Sequence, residues 1–302
     1  MSRRYALTAC ATLLALAVAQ PASAVMVFAT NNNGSTLIRF DTATPGSFTT
    51  VGDFSGGPIL GLDFRPANGQ LYGYTGNDQI VRIDLNTAGT TVTSTPTIPS
   101  TTGDLGLDFN PVADRLRLVN TAQPDQNLRI VVDTGLTVSD PELRYAAGDP
   151  NFGVDPNINE TAYTNNVAGL FGTTTQYYLD NSTNTLATTA DPNSGLLTTV
   201  GNLGVNFGVN TGFDIFTDLQ GTNSAFALLE VNDVIGFYSI NLASGAATFR
   251  GLLAGDRPVV DAYGLAIVPA AVPEPSSFVT AGVGAMMVLG YSWKRRRQGA
   301  AA

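Results

Sequence analysis

Gly61-Leu62-Asp63-Phe64 returns as Gly106-Leu107-Asp108-Phe109, then as Gly212-Phe213-Asp214-Ile215, and finally as Gly264-Leu265-Ala266-Ile267. The copies begin at 61, 106, 212 and 264, so they lie 45, 106 and 52 residues apart. The middle interval is close to a doubled one, which predicts a degenerate copy near residue 160. Ala162-Tyr163-Thr164-Asn165 occupies that place. A recurring period of this length marks a repeat architecture, in which each supersecondary unit buries its apolar face against the next.

Each interval has a similar interior. Gln70-Leu71-Tyr72-Gly73-Tyr74 and Arg115-Leu116-Arg117-Leu118-Val119 read as second strands. Third strands are expected to end in Asp or Asn before a polar turn, at 81–84, 130–133, 178–180 and 239–241. A Thr/Val-rich fourth strand closes the unit, as in Leu196-Leu197-Thr198-Thr199-Val200. Period-two alternation and β-branched residues are strand signals, and Asp/Asn-to-Gly turns suit hairpins. No convincing helical period interrupts them. Four antiparallel strands per repeat predict an all-β fold, a β-propeller.

Its two ends complete one another. Residues 264–268 supply a first strand with nothing after it. Residues 26–30, 37–41 and 48–51 supply strands two to four with no first. Joined, they make one blade and seal both open sheet edges. Five four-stranded blades are expected, with the loop-like stretch 140–160 as an eroded sixth in the alternative count.

Leu107-Asp-Phe-Asn-Pro-Val-Ala-Asp-Arg-Leu-Arg-Leu-Val119 and Asn127-Leu-Arg-Ile-Val-Val-Asp-Thr-Gly135 resemble the bacterial family called domain of unknown function 4394. Ala162-Tyr163-Thr164-Asn165-Asn166 and Pro192-Asn193-Ser194-Gly195-Leu196 are similar to it too. The resemblance implies an exported, propeller-like protein and brings no catalytic residues.

Both termini read as address labels. Ser2-Arg3-Arg4, the apolar run 6–19 and Ala22-Ser23-Ala24 form a secretory signal, cleaved after Ala24 by the small residues Ala22 and Ala24. At the other end Pro273-Glu274-Pro275 precedes an uncharged apolar run, 278–293, and then Lys294-Arg295-Arg296-Arg297. That run is short for a membrane crossing, which takes ~20 residues, and the basic end favours the cytoplasmic side. The three parts closely resemble the PEP-CTERM sorting signal. The resemblance implies recognition by an exosortase, with the tail removed near Pro273-Glu274-Pro275 and the membrane engaged only before processing. The expected organisation is a signal peptide over 1–24, a propeller over 25–270 and a sorting tail over 271–302.

Between Val25 and Ser277 lie all 24 acidic residues but only nine arginines, a net charge of −15. Lysine, histidine and cysteine are absent from that segment. No basic stripe exists to track a phosphate backbone, so nucleic acid is excluded as a partner. Ser-His-Asp and Cys-His nucleophile systems are excluded as well, as is a His/Cys zinc site. Oxygen-ligand sites for a hard cation remain open.

Asp63, Asp108 and Asp214 share one position of the repeat. If first strands line the central channel, these carboxylates approach one another there. They are the candidate calcium ligands, or a glycosidase acid pair, against a structural role in accepting backbone N–H bonds, which once-per-blade repetition favours. The loop 148–160 carries Asp149, Asn151, Asp155, Asn157, Asn159 and Glu160, but its spacing fails the EF-hand pattern and suits Asx turns better. Tyr72, Tyr74, Tyr163, Tyr177 and Tyr178 fit either a sugar-stacking platform or the core. Arg115 and Arg117 share a strand face and are expected to pair with Asp108 or Asp114.

These readings converge on an exported, non-enzymatic propeller that binds or builds in the cell envelope or exopolysaccharide matrix. A secreted glycosidase using channel carboxylates is the alternative.

Overall fold

The computed structural model describes residues 24–100, 105–120, 125–259 and 261–270. The terminal labels, with Ala22, 273–275 and 294–297, lie outside them. Among the described residues no helix is long and apolar enough to cross a membrane, and the transmembrane reading of 278–293 falls outside those residues.

Five sheets form the five blades of a β-propeller. The blades are β4 (Ile59–Arg65) to β7 (Thr90–Ser94), with β5 (Gln70–Thr75) and β6 (Ile80–Ile83) between; β8 (Gly106–Asn110), β9 (Arg115–Asn120), β10 (Gln126–Ile130) and β11 (Thr137–Ser139); then β13 (Ile158–Tyr163), β14 (Gln176–Asp180), β15 (Thr185–Thr189) and β16 (Leu196–Asn202). The fourth runs from β17 (Thr211–Thr217) through β18 (Asn223–Val231) and β19 (Val234–Ile240) to β20 (Ala247–Leu252). Hairpin chemistry follows the sequence: Asn232 and Asp233, at φ of 53° and 60°, make the two-residue link between β18 and β19, a turn that needs positive φ at both positions.

The closing blade joins both ends of the chain. β21 (Leu265–Ile267) pairs antiparallel with β1 (Met26–Asn31), matching Val27 to Ile267 and Ala29 to Leu265. β2 (Thr36–Asp41) and β3 (Thr49–Asp53) continue the sheet outward. The expected closure is therefore the one observed.

Blades are held to one another by apolar side chains on the inner strands. Leu62 and Phe64 pack with Phe28 and Ala266 of the preceding blade, and Leu107 and Phe109 with Tyr72 and Tyr74. Phe213 and Ile215 meet Leu179 and Leu186, and Leu265 and Ile267 meet Leu228 and Phe237. Burying each such side chain contributes about 1.5–3 kcal/mol, so the inter-blade seams add substantially to the cohesion of the ring. Strand alternation then turns the residue between each apolar pair, the Asp of the repeat, to the opposite face, toward the following blade.

Four sequence expectations need correction. The stretch 140–160 is not a sixth blade: Arg144 and Tyr145, as β12 (Arg144–Tyr145), pair parallel with Leu196 and Leu197 and add an outer fifth strand to the β13–β16 blade. Residues 178–180 belong to a second strand, not a third, because β14 pairs directly with the inner strand β13. The third strand near 130 ends at Ile130, and 131–135 form its turn. The degenerate repeat copy is Glu160-Thr161-Ala162-Tyr163, two residues earlier than read. Gly106 of the preceding blade faces Glu160 and Thr161, as Gly61 faces Leu107 and Gly212 faces Gly264 and Leu265.

Candidate functional site

The inner strands β4, β8, β13, β17 and β21 neighbour one another in ring order around the axis. They come so close that a Cβ at Gly61 would lie 2.9 Å from the Leu107 Cβ, and one at Gly106 would lie 2.8 Å from the Glu160 Cα. Glycine at the first repeat position therefore permits the narrow ring, and the Asp two residues later points the same way.

Each of these aspartates clamps two blades. Asp63 Oδ1 accepts the N–H of Phe64 at 2.6 Å, and its Oδ2 accepts the N–H of Phe109, one blade on, at 2.8 Å. Asp214 repeats this with Ile215, and with Ile267 of the closing blade at 2.6 Å. Asp108 has the N–H of Tyr163, in the following blade, beside its carboxylate. Where the repeat carries Ala162 and Ala266 the carboxyl is missing.

Asp63, Asp108 and Asp214 do converge: one carboxylate oxygen from each lies within 4.8 Å of the others, and all three are buried. Glu160, which the sequence reading assigned to a loop, joins them. It stands at the glycine position of the degenerate copy, and its buried carboxylate feels Asp214 and the backbone N–H groups of Gly264, Thr161 and Leu107. The signal was present in the repeat, hidden by the two-residue misalignment. Burial above all, then mutual repulsion, pushes the Asp63, Asp108 and Glu160 carboxyls well above the ordinary carboxylate range. Burial lifts Asp214 to about 7. Among the described residues no arginine forms an ion pair with these carboxyls, and burial and mutual repulsion favour their protonated forms. The oxygen spacing is compatible with a hard cation ligated at 2.3–2.6 Å. A glycosidase pair instead needs carboxyl groups about 5–10 Å apart flanking a substrate, and these are buried and engaged by backbone N–H groups.

Other candidates disperse. Asp149 of the 148–160 loop accepts the N–H and hydroxyl of Thr199 and the N–H of Asn151, an Asx turn fastened to β16. Asn157 donates its N–H to Asp180. Tyr72, Tyr74, Tyr163 and Tyr178 are buried among the blades and Tyr177 is half-buried, so no stacking platform forms. Arg115 and Arg117 do not pair with Asp108 or Asp114 through their side chains. Arg117 bonds Asp140 at 2.7 Å, together with Asn127, Asn193 and the Tyr163 hydroxyl, while Arg115 donates to the carbonyls of Ala113 and Asp114. Asp114 is taken by Arg65, which also holds Asp133. Arg129, unremarked in the sequence, grips Asp140 with Nε and Nη2.

Residues 36–262 match the family described as domain of unknown function (DUF4394). The chain belongs to that family. Residues 271–297 of this DUF4394 protein match the PEP-CTERM protein-sorting motif, which marks it for export and exosortase-mediated processing. Among curated proteins none matches. Solved structures similar to this DUF4394 chain include a protein of unknown function from Bacteroides thetaiotaomicron, 14% identical, with a TM-score of 0.47 and 67% of this chain covered. The chain spans about half of that protein, 53%. A gluconolactonase from Xanthomonas campestris is 12% identical with a TM-score of 0.42, covering 80% of this chain and 78% of its own. Likenesses this distant carry no argument about what the DUF4394 chain does.

Proposed function

We propose that the protein is a non-enzymatic propeller of the cell envelope or exopolysaccharide matrix, delivered there by exosortase and acting as a binding or structural module. The observation that carries this reading is the axial clamp. The repeated carboxylates, the strongest catalytic candidates in the chain, are buried and bonded to backbone N–H groups of adjacent blades. A ring fastened in this way serves as a rigid scaffold whose outer surfaces do the binding. Incubation with a panel of polysaccharides tests it: retention on matrix polysaccharide with no release of reducing ends is expected. Hydrolysis abolished by Asp63→Asn or Asp108→Asn would establish the glycosidase instead.

Processing belongs to the same reading. The mature protein is expected to begin near Val25 and to lack 278–293, and intact mass of protein from the native envelope measures both. Retention of Lys294 to Arg297 in most molecules would mean a permanent anchor. Calcium remains a proposed occupant of the Asp63, Asp108 and Asp214 cluster, supported by the convergence of their oxygens.

A further inference from the structure

The segment between Val25 and Ser277 holds nine arginines against 24 acidic residues, and three of the nine line one pocket. Arg115, Arg117 and Arg129 meet there in a space of about 130 Å³, walled also by Asn110, Asn193 and Tyr163. Their placement follows from the sheet. Arg115 and Arg117 stand two apart on β9, hence on one face, and Arg129 of β10 is the direct cross-strand partner of Arg117.

Like charges directly opposite one another destabilise a sheet. Asp140 offsets part of this by bonding Arg117 and Arg129 together, so these two guanidinium groups share one carboxylate, while Arg115 bonds only the backbone carbonyls of Ala113 and Asp114. Asp114, adjacent to Arg115, is engaged by Arg65. The consequence is a local excess of positive charge on a strongly acidic protein.

The donors are also partly uncommitted. Among the described residues Arg129 Nη1 and Arg115 Nε and Nη2 donate no hydrogen bond, whereas Arg117 is almost fully buried and fixed by four partners. One arginine is thus a rigid floor and two offer free N–H groups at the mouth. Guanidinium groups recognise planar oxyanions through paired N–H bonds, and the neutral amides of Asn110 and Asn193 suit hydroxyl groups beside such an anion.

We propose that this pocket binds an oxyanion carried on a sugar: the carboxylate of an acidic sugar, or a sulfate or phosphate ester. The proposal deepens the binding-module reading by naming the site and the ligand chemistry. It does not depend on where the protein finally resides.

The test is calorimetric titration of the full chain, expressed with both terminal segments and purified as the host processes it. Sodium glucuronate, glucose 6-sulfate and glucose 6-phosphate are the probes at low ionic strength, and glucose is the neutral control. Saturable binding of at least one anionic sugar is expected, weakening as salt rises, with no binding of glucose. Comparison among the three anions identifies which oxyanion fits. Arg115→Gln and Arg129→Gln should each weaken binding about tenfold, with Arg115→Gln leaving the melting temperature unchanged because Arg115 is exposed. Arg250→Gln, on another blade, should leave affinity unchanged. Equal binding of glucose, unchanged affinity in both pocket variants, or no binding of any anionic sugar at millimolar concentration would overturn the proposal. Retention on matrix polysaccharide that persists without anionic-sugar binding would remove the pocket and leave the module reading. Binding of an anionic sugar without such retention would do the reverse.

Discussion

Asp214 Oδ2 accepts the backbone N–H of Ile267 at 2.6 Å, so a carboxylate of one blade holds the strand that closes the ring. The same group accepts the N–H of Ile215 within its own strand. Both Ile215 and Ile267 are buried, and among the described residues no other side chain accepts from these two N–H groups. Asp214→Ala should therefore cost about 2–6 kcal/mol, the range for stranding two buried donors at about 1–3 kcal/mol each. Thermal denaturation measures it. An unchanged melting temperature would show that the ring closes without the clamp.

Stability should fall as pH rises from 5 to 8, opposite to the usual trend for carboxylates. Asp214 titrates at 3.8 in the unfolded chain and at about 7 when folded. Between those values the folded state binds more protons than the unfolded state, so its stability declines with rising pH. Asp63, Asp108 and Glu160 are displaced in the same direction, chiefly by burial, and reinforce the slope. Carboxylates held low by their hydrogen bonds, such as Asp84 and Asp218, contribute a stability that is full above 3.8 and lost only as pH falls below it, so they add no slope in this interval. Melting curves across this interval decide the matter, and a flat or rising profile would contradict it.

Calcium distinguishes a proton-neutralised axis from a cation-filled one. At pH 8 millimolar calcium should raise the melting temperature more than sodium chloride of equal ionic strength, by the linkage that gives about 2.7 kcal/mol at a hundredfold excess over Kd. The difference should shrink at pH 5, where protons already occupy the carboxyls. Coincident curves at pH 8 would retire the calcium site, since screening acts alike for both salts.

Two ion pairs should behave very differently. Asp140 is buried beside Arg117, with side-chain exposures of 6% and 2%, and its replacement by alanine leaves a buried guanidinium without its counter-charge. A loss of about 3–5 kcal/mol is expected. Arg257 and Asp53 are exposed at 49% and 63%, and Arg257→Ala should leave the stability almost unchanged, because water and salt screen an exposed pair. Denaturant titration of both variants measures the contrast. Comparable losses would mean that Asp140 is not a buried counter-charge.

What the sequence determined was whatever local chemistry writes along the chain. The period of the Gly-Leu-Asp-Phe copies, the alternation within strands and the Asp/Asn turns follow from short-range backbone preference, so they yielded an all-β propeller and a closing blade shared by residues 26–30 and 264–268. Register was beyond its reach. Because strand side chains alternate with a period of two, a slip of two residues keeps every side chain on its face, and the copy at Glu160-Thr161-Ala162-Tyr163 could pass for one starting at Ala162. Only the packing of Gly106 against Glu160 and Thr161 fixed it, and with it the fourth axial carboxylate. The partners of Asp63 and Asp214 lie 46 and 53 residues along the chain, and Asn193 reaches Arg117 from 76 residues away. Such contacts are set by how one blade is rotated against the next, a relation between strands that no local pattern encodes. The axial clamp and the three-arginine pocket are therefore products of tertiary structure, built from residues whose meeting the sequence leaves unwritten.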